Sequence, residues 1–130
     1  MIRSRLLLLA PLVLLHTAAM SAQTAAPSGS ATFALYCATC HGTSARGNGP
    51  MASSLTRPPA DLTLIAKRNG GTFPMEMVAK VIDGRAPVKG HGGGEMPVWG
   101  DAFGKSADAT PVADKIARIV SYLQSIQAKD

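Results

Sequence analysis

Apolar positions recur at helical spacing in several separate stretches, and no run alternates in the manner of a strand, so the pattern predicts an all-α chain. Gly29, Phe33 and Cys37 lie four residues apart and share one face of a first helix. Ser28 or Ser30 is placed to cap it, and it runs through Tyr36 into Cys37 and Cys40. A short helix is expected from Asp61 to Lys67 or Arg68, stopped by Asn69-Gly70-Gly71. The next begins near Thr72 with Pro74 in its first turn. Its apolar face is Met75, Val78, Val81 and Ile82, and Gly84 is placed to end it. The last starts at Thr110 as cap with Pro111 at the first position; Ile116, Ile119, Val120, Leu123 and Ile126 trace its buried face.

Between these lie two glycine-rich stretches. Gly42 to Pro50 reads as an irregular loop in which glycines let backbone approach a flat ligand closely. Arg85 to Gly104 also reads as loop. The chain shows no internal repeat.

The start of the chain reads differently. Arg3 and Arg5 precede an apolar run from Leu6 to Leu15, and Ala19-Met20-Ser21 fits a small-x-small cleavage rule. Residues 1–22 are therefore expected to be a secretory signal peptide, cleaved between residues 19 and 26, with 23–28 a flexible leader and 29–130 the domain. The apolar run falls short of the roughly 20 residues that span a bilayer, so no membrane span is expected after cleavage. The 13 basic residues then fall to 11 against 8 acidic, a net charge of +3, too mild and scattered for nucleic-acid binding. Aromatics make up 5% of the chain, a thin supply for the core of a small domain.

That shortage bears on the one dense chemical motif, Cys37-Ala38-Thr39-Cys40-His41. It reads C-x-x-C-H, a pattern of covalent haem attachment. Two cysteines three apart occupy neighbouring positions on one helical face, so one turn can offer both sulfurs to the haem vinyl groups. His41 follows where its imidazole can reach the iron. A buried haem would also supply the missing apolar mass. Both cysteines of the chain lie in this motif, which leaves no other disulfide to expect.

The sixth iron ligand has several candidates: Met51, Met75, Met77, His91 and Met96. Met75 and Met77 lie in an expected helix, where methionine usually fills the core. Met51 has no distinguishing setting. Met96 follows Gly92-Gly93-Gly94-Glu95 and precedes Pro97, a flexible lead-in locked by a proline, which suits a thioether laid over the second haem face. His91, five residues away, is its rival.

With these residues in place, the chain resembles the class I c-type cytochromes of the small bacterial single-haem type, over residues 29 to 127. The resemblance is carried by C-A-T-C-H-G, by M-P-V-W-G further on, and by Gly29-x3-Phe33-x3-Cys37. It implies a small cytochrome c fold, about four helices wrapped around one covalently bound haem c. It implies Cys37 and Cys40 as the thioether positions, and His41 and Met96 as the axial iron ligands. Gly29 and Phe33 would pack against Tyr122 of the last helix, and Pro50 would supply the carbonyl that receives the other nitrogen of His41. Trp99 would pack on the haem edge and donate its N–H to a propionate; ordinary core packing is the other reading. Arg85 is a second candidate for a propionate or a solvated arginine.

The expected function is periplasmic transfer of single electrons, with no catalytic site, because two filled axial positions leave none open. Its partners would be redox proteins: a dehydrogenase, an oxidase or a reductase. Lys67, Arg68, Lys80, Lys89 and Lys105 are candidates to steer an acidic one. Three alternatives come from other classes: a haem enzyme subunit or gas sensor with an open or labile sixth position, a thiol-disulfide module on Cys37 and Cys40, and a zinc site on Cys37, Cys40 and His91. The thiol module needs strands that the helical flanks do not offer, and the zinc site lacks paired ligand spacing.

Overall fold

A helix can cross another closely only where side chains leave room, and Gly29 provides that room. A computed structural model describes residues 26–85 and 95–129. In it α1 (Gly29–Tyr36) packs on the long C-terminal helix α6 (Val112–Ser125). A Cβ built at Gly29 would overlap the carbonyl oxygen of Arg118 and lie 3.1 Å from Cβ of Tyr122. One turn on, Phe33 is 1% exposed, its ring centroid 5.2 Å from that of Tyr122. The expected Gly29–Phe33–Tyr122 contact is therefore present. Ser28 caps α1, its hydroxyl accepting from the Ala31 amide at 3.2 Å. Pro27 is tied as well, through its carbonyl to the Arg118 guanidinium at 3.0 Å. The end of the stretch read as a flexible leader is thus held against α6; the expected signal peptide lies outside the described residues.

The remaining elements are α2 (Ala38–His41), α3 (Ile65–Arg68), α4 (Met75–Asp83) and α5 (Trp99–Gly104), with short 3-10 turns at Ala52–Ser54 and Leu62–Leu64. No strand occurs among the described residues, which are all-α as expected. Helix α4 also packs on α6, and α5 rests on both. The core is the meeting of these faces: Phe33, Val78, Ile82, Phe103, Ile116, Ile119, Val120 and Leu123. All six aromatic residues of the chain belong to it or pack against it. Among the described residues, no helix is long and apolar enough to cross a membrane.

Several expectations need correction. The segment from Arg85 to Gly104 is not all loop, because α5 occupies its end. Two glycines in six residues make a poor helix, and short helices depend on packing rather than propensity. Here Trp99 and Phe103, four apart, stack at 5.4 Å and both meet Tyr36 edge-on, at 5.6 and 5.1 Å. Helix α4 begins at Met75 rather than Thr72, with Pro74 in the cap position. Met75 and Met77 are not core filler: they are 43% and 47% exposed. Met75 lines a groove of about 690 Å³ between α4 and α6, with Ala79, Ile116, Ala117 and Val120. At α6, Thr110 makes no cap; Pro111 takes that position without a side-chain bond, and the Thr110 amide donates instead to Asp108 Oδ1 at 2.9 Å.

Lys115 stands in the first turns of α6, yet is 4% exposed. A buried ammonium needs partners for its protons. Its Nζ donates to Ser106 Oγ at 2.6 Å and to the Asp108 carbonyl at 3.0 Å, and lies 3.3 Å from the Asp108 carboxylate. It also sits 5.8 Å from the Phe103 ring centre, within cation–π reach. This lysine staples the connection between α5 and α6. Lys115→Met keeps the stem but removes the donor, and should cost about 1–2 kcal/mol; Lys115→Ala, which also empties the space over Phe103, should cost about 3 kcal/mol. Urea midpoints of the two variants check that order, and equal midpoints would show that only the stem matters.

Candidate functional site

A four-residue helix cannot satisfy its own carbonyls, so α2 depends on what folds beneath it. The glycine-rich loop does this. Gly42 N–H donates to the Ala38 carbonyl at 2.8 Å, Gly47 to His41 at 2.8 Å, Gly49 to Cys40 at 3.0 Å and Met51 to Thr39 at 2.9 Å. The loop therefore runs back along the carbonyl end of the cysteine turn. A Cβ at Gly49 would stand 2.5 Å from the Thr39 oxygen and 2.6 Å from the Ala38 oxygen, and one at Gly47 would overlap the Pro59 carbonyl. The expectation that these glycines clear space for a ligand is corrected at both positions: they clear it for the chain's own backbone.

On this frame Cys37 is buried and Cys40 half-buried, both free thiols. Burial, reinforced by the neighbouring Cys40, pushes the Cys37 thiol up to about 11. It is thus protonated at neutral pH, the opposite of the depressed value that marks an exchange-active thiol.

His41 is half-buried, and its Nδ1 lies 3.1 Å from the Ala60 carbonyl. A carbonyl only accepts, so Nδ1–H is the donor and Nε2 keeps its lone pair. Burial lowers the His41 pKa and favours the neutral ring, an effect the Ala60 bond only partly offsets. That is the protonation state of a metal-binding imidazole whose other nitrogen is oriented by a backbone oxygen. The partner expected here, the carbonyl of Pro50, is corrected to that of Ala60. The reason is topological. Gly49 and Met51 on either side of Pro50 give their amides to the carbonyls of α2, while the chain leaving Pro58-Pro59 passes the imidazole. No local signal marked Ala60.

Met96 is 39% exposed, just before α5. Its neighbour Glu95 reaches the loop after the first 3-10 turn, where its carboxylate accepts from the Thr56 amide at 2.7 Å and from the Arg57 amide at 3.2 Å. Those bonds, the Thr56 amide above all, hold the Glu95 carboxyl below its usual range. The segment carrying Met96 is thus joined to the stretch that runs on to Ala60 and His41. The signal for Glu95 in the sequence is that it is the one acidic residue between Asp83 and Asp101. His91 and Lys89 lie outside the described residues.

Trp99 is half-buried and stacked on Phe103. Arg85 is exposed to solvent and already engaged. It pairs with Asp83 through two 2.7 Å bonds, Nε to Oδ1 and Nη2 to Oδ2, lowering the Asp83 pKa. The pair covers α5 at Gly100, where a Cβ would meet Arg85 Nε at 2.5 Å.

The donor set suits a haem: two unpaired thiols on one turn, an oriented neutral imidazole beside them, and a thioether on a segment tied to the same frame. Comparison with protein-family models, with curated proteins and with solved structures gives no match.

Proposed function

We propose that this protein is a single-haem c-type cytochrome, exported to the periplasm, that carries one electron at a time between redox partners. The observation that carries the reading is the cysteine turn itself. Cys37 and Cys40 stand unpaired on one turn, while the adjacent His41 has Nδ1 engaged by Ala60 and Nε2 free to bind iron. Cys37 and Cys40 would hold the haem through thioethers, with His41 and Met96 as its axial ligands. When bound, the haem supplies a one-electron iron couple, and the methionine sulfur favours its reduced state. The chain's residues do the rest. Ala60 orients the imidazole, the α2 frame holds the attachment turn rigid, and the helical core keeps water from the buried thiol. The crossing of α1 and α6 over Gly29, with Phe33 on Tyr122, supports a small cytochrome c fold. The raised Cys37 pKa speaks against a thiol-disulfide module.

An optical redox titration of the exported protein tests this. A sulfur-to-iron charge-transfer band in the oxidised form and a clearly positive potential are expected. Met96→Ala should abolish the band and lower the potential by more than about 100 mV, a modest part of the roughly 0.8 V that axial ligands span. His91→Ala should leave both in place. The reverse ranking would make His91 the ligand, and carbon monoxide binding to the reduced protein at neutral pH would favour a sensor or enzyme.

A further inference from the structure

The stretch from Met51 to Ala60 is pinned at three places. Its start donates the Met51 amide to Thr39 of α2, and its end offers the Ala60 carbonyl to His41. Between them, the consecutive amides of Thr56 and Arg57 each meet one oxygen of the Glu95 carboxylate, at 2.7 and 3.2 Å. Among the described residues, these are the only side-chain hydrogen bonds made by residues 95 to 98. On the far side Pro97 restricts the backbone, and the Val98 carbonyl enters α5 by accepting from Asp101 and Ala102. Among the described residues, Met96 is therefore secured by α5 on one side and by the Glu95 carboxylate on the other.

We propose that Glu95 is a positioning residue for the sixth iron ligand, bridging the Thr56 and Arg57 amides so that Met96 is held beside the segment that orients His41. This rests on the function proposed above. Two oxygens split over two successive amides fix both the distance and the direction of approach, which one bond would not. The bonds are exposed to solvent, so their effect falls on the placement of Met96 rather than on the stability of the core. Removing the carboxylate leaves the thioether to be ordered at the iron with one fewer constraint on its chain, and a competing ligand gains accordingly.

The test is imidazole competition in the full-length holoprotein, followed as loss of the sulfur-to-iron band. Glu95→Ala should raise the apparent imidazole affinity about tenfold, and Glu95→Gln, which keeps one acceptor oxygen, should fall between it and wild type. In the ferrous, diamagnetic protein, Glu95→Ala should also speed hydrogen exchange at the Thr56 and Arg57 amides. Lys115→Met, which weakens the α5–α6 connection without touching this loop, should leave imidazole affinity unchanged. A wild type showing the band, with imidazole affinity unchanged from it in both Glu95 variants, overturns the positioning role alone. A wild type without the band overturns the Met96 ligation and this role with it. Should Glu95→Ala fail to fold, the near-isosteric Glu95→Gln carries the test.

Discussion

Replacing both Cys37 and Cys40 with Ala is expected to remove all haem that survives denaturation. A haem that is merely coordinated leaves the chain once the fold is lost, whereas a thioether does not. Haem staining of a denaturing gel therefore separates the two: the wild type should stain and the double variant should fall to background. Either single variant should retain less than the wild type. Met96→Ala is the control, since it removes an iron ligand but no attachment point, and its stain should persist. The cost should reach the fold. Apolar mass leaves a domain whose six aromatics already serve the helix contacts, and a ligand that binds only the folded chain takes its stabilisation with it. A loss of several kcal/mol is large against the roughly 5–15 kcal/mol that holds a small domain together. Haem still bound to the denatured double variant would sink the attachment, and a wild type that never stains would sink the cytochrome proposal as a whole.

Gly29→Ala should be the most damaging conservative change away from the cysteine turn. The added Cβ points into the Arg118 carbonyl, which is backbone of α6 and has no rotamer to escape into. The helices must separate, and Phe33 and Tyr122 next to the crossing would lose contact. Overpacking typically costs 1–3 kcal/mol, and here it falls on the largest helix contact, so about 3 kcal/mol is a reasonable scale. Alanine's higher helix propensity, at most about 1 kcal/mol and less at a helix's first residue, does not offset this. A small domain would melt at least about 10 °C lower. Leu35→Ala on the exposed side of the same helix should stay within about 0.5 kcal/mol. If Gly29→Ala melts with Leu35→Ala, the close crossing is not what holds α1 on α6.

How far local pattern reaches is visible in particular residues. Ser28 as a cap, Asp61 at the start of the 3-10 turn that leads into α3, Gly84 in the left-handed conformation after α4, and the buried face of α6 all follow from a few neighbouring side chains. Periodicity and capping act within one or two turns, so a linear reading captures them. The reading failed where a distant part of the chain decides. Helix α5 forms because Trp99 and Phe103 meet Tyr36, some sixty residues earlier. Met75 shares the apolar face of Val78 and Ile82 yet stays exposed, because periodicity names a face and not what covers it. Lys115 is buried because Ser106 and Asp108 fold over it.

The sequence by itself determined the helical class and the C-x-x-C-H motif with its two cysteines and histidine, written in spacing along one helix and in a contiguous run; the contact of Gly29 and Phe33 with Tyr122 was implied only by the resemblance to class I c-type cytochromes. Only the tertiary structure decided which carbonyl orients His41, that Gly47 and Gly49 make room for backbone, that Arg85 is taken by Asp83, and that Glu95 ties the Met96 segment to Thr56 and Arg57. Most of these are bonds or close approaches between the backbone of one loop and a remote part of the chain. Because every residue carries the same amide and carbonyl, composition cannot say which of them will meet.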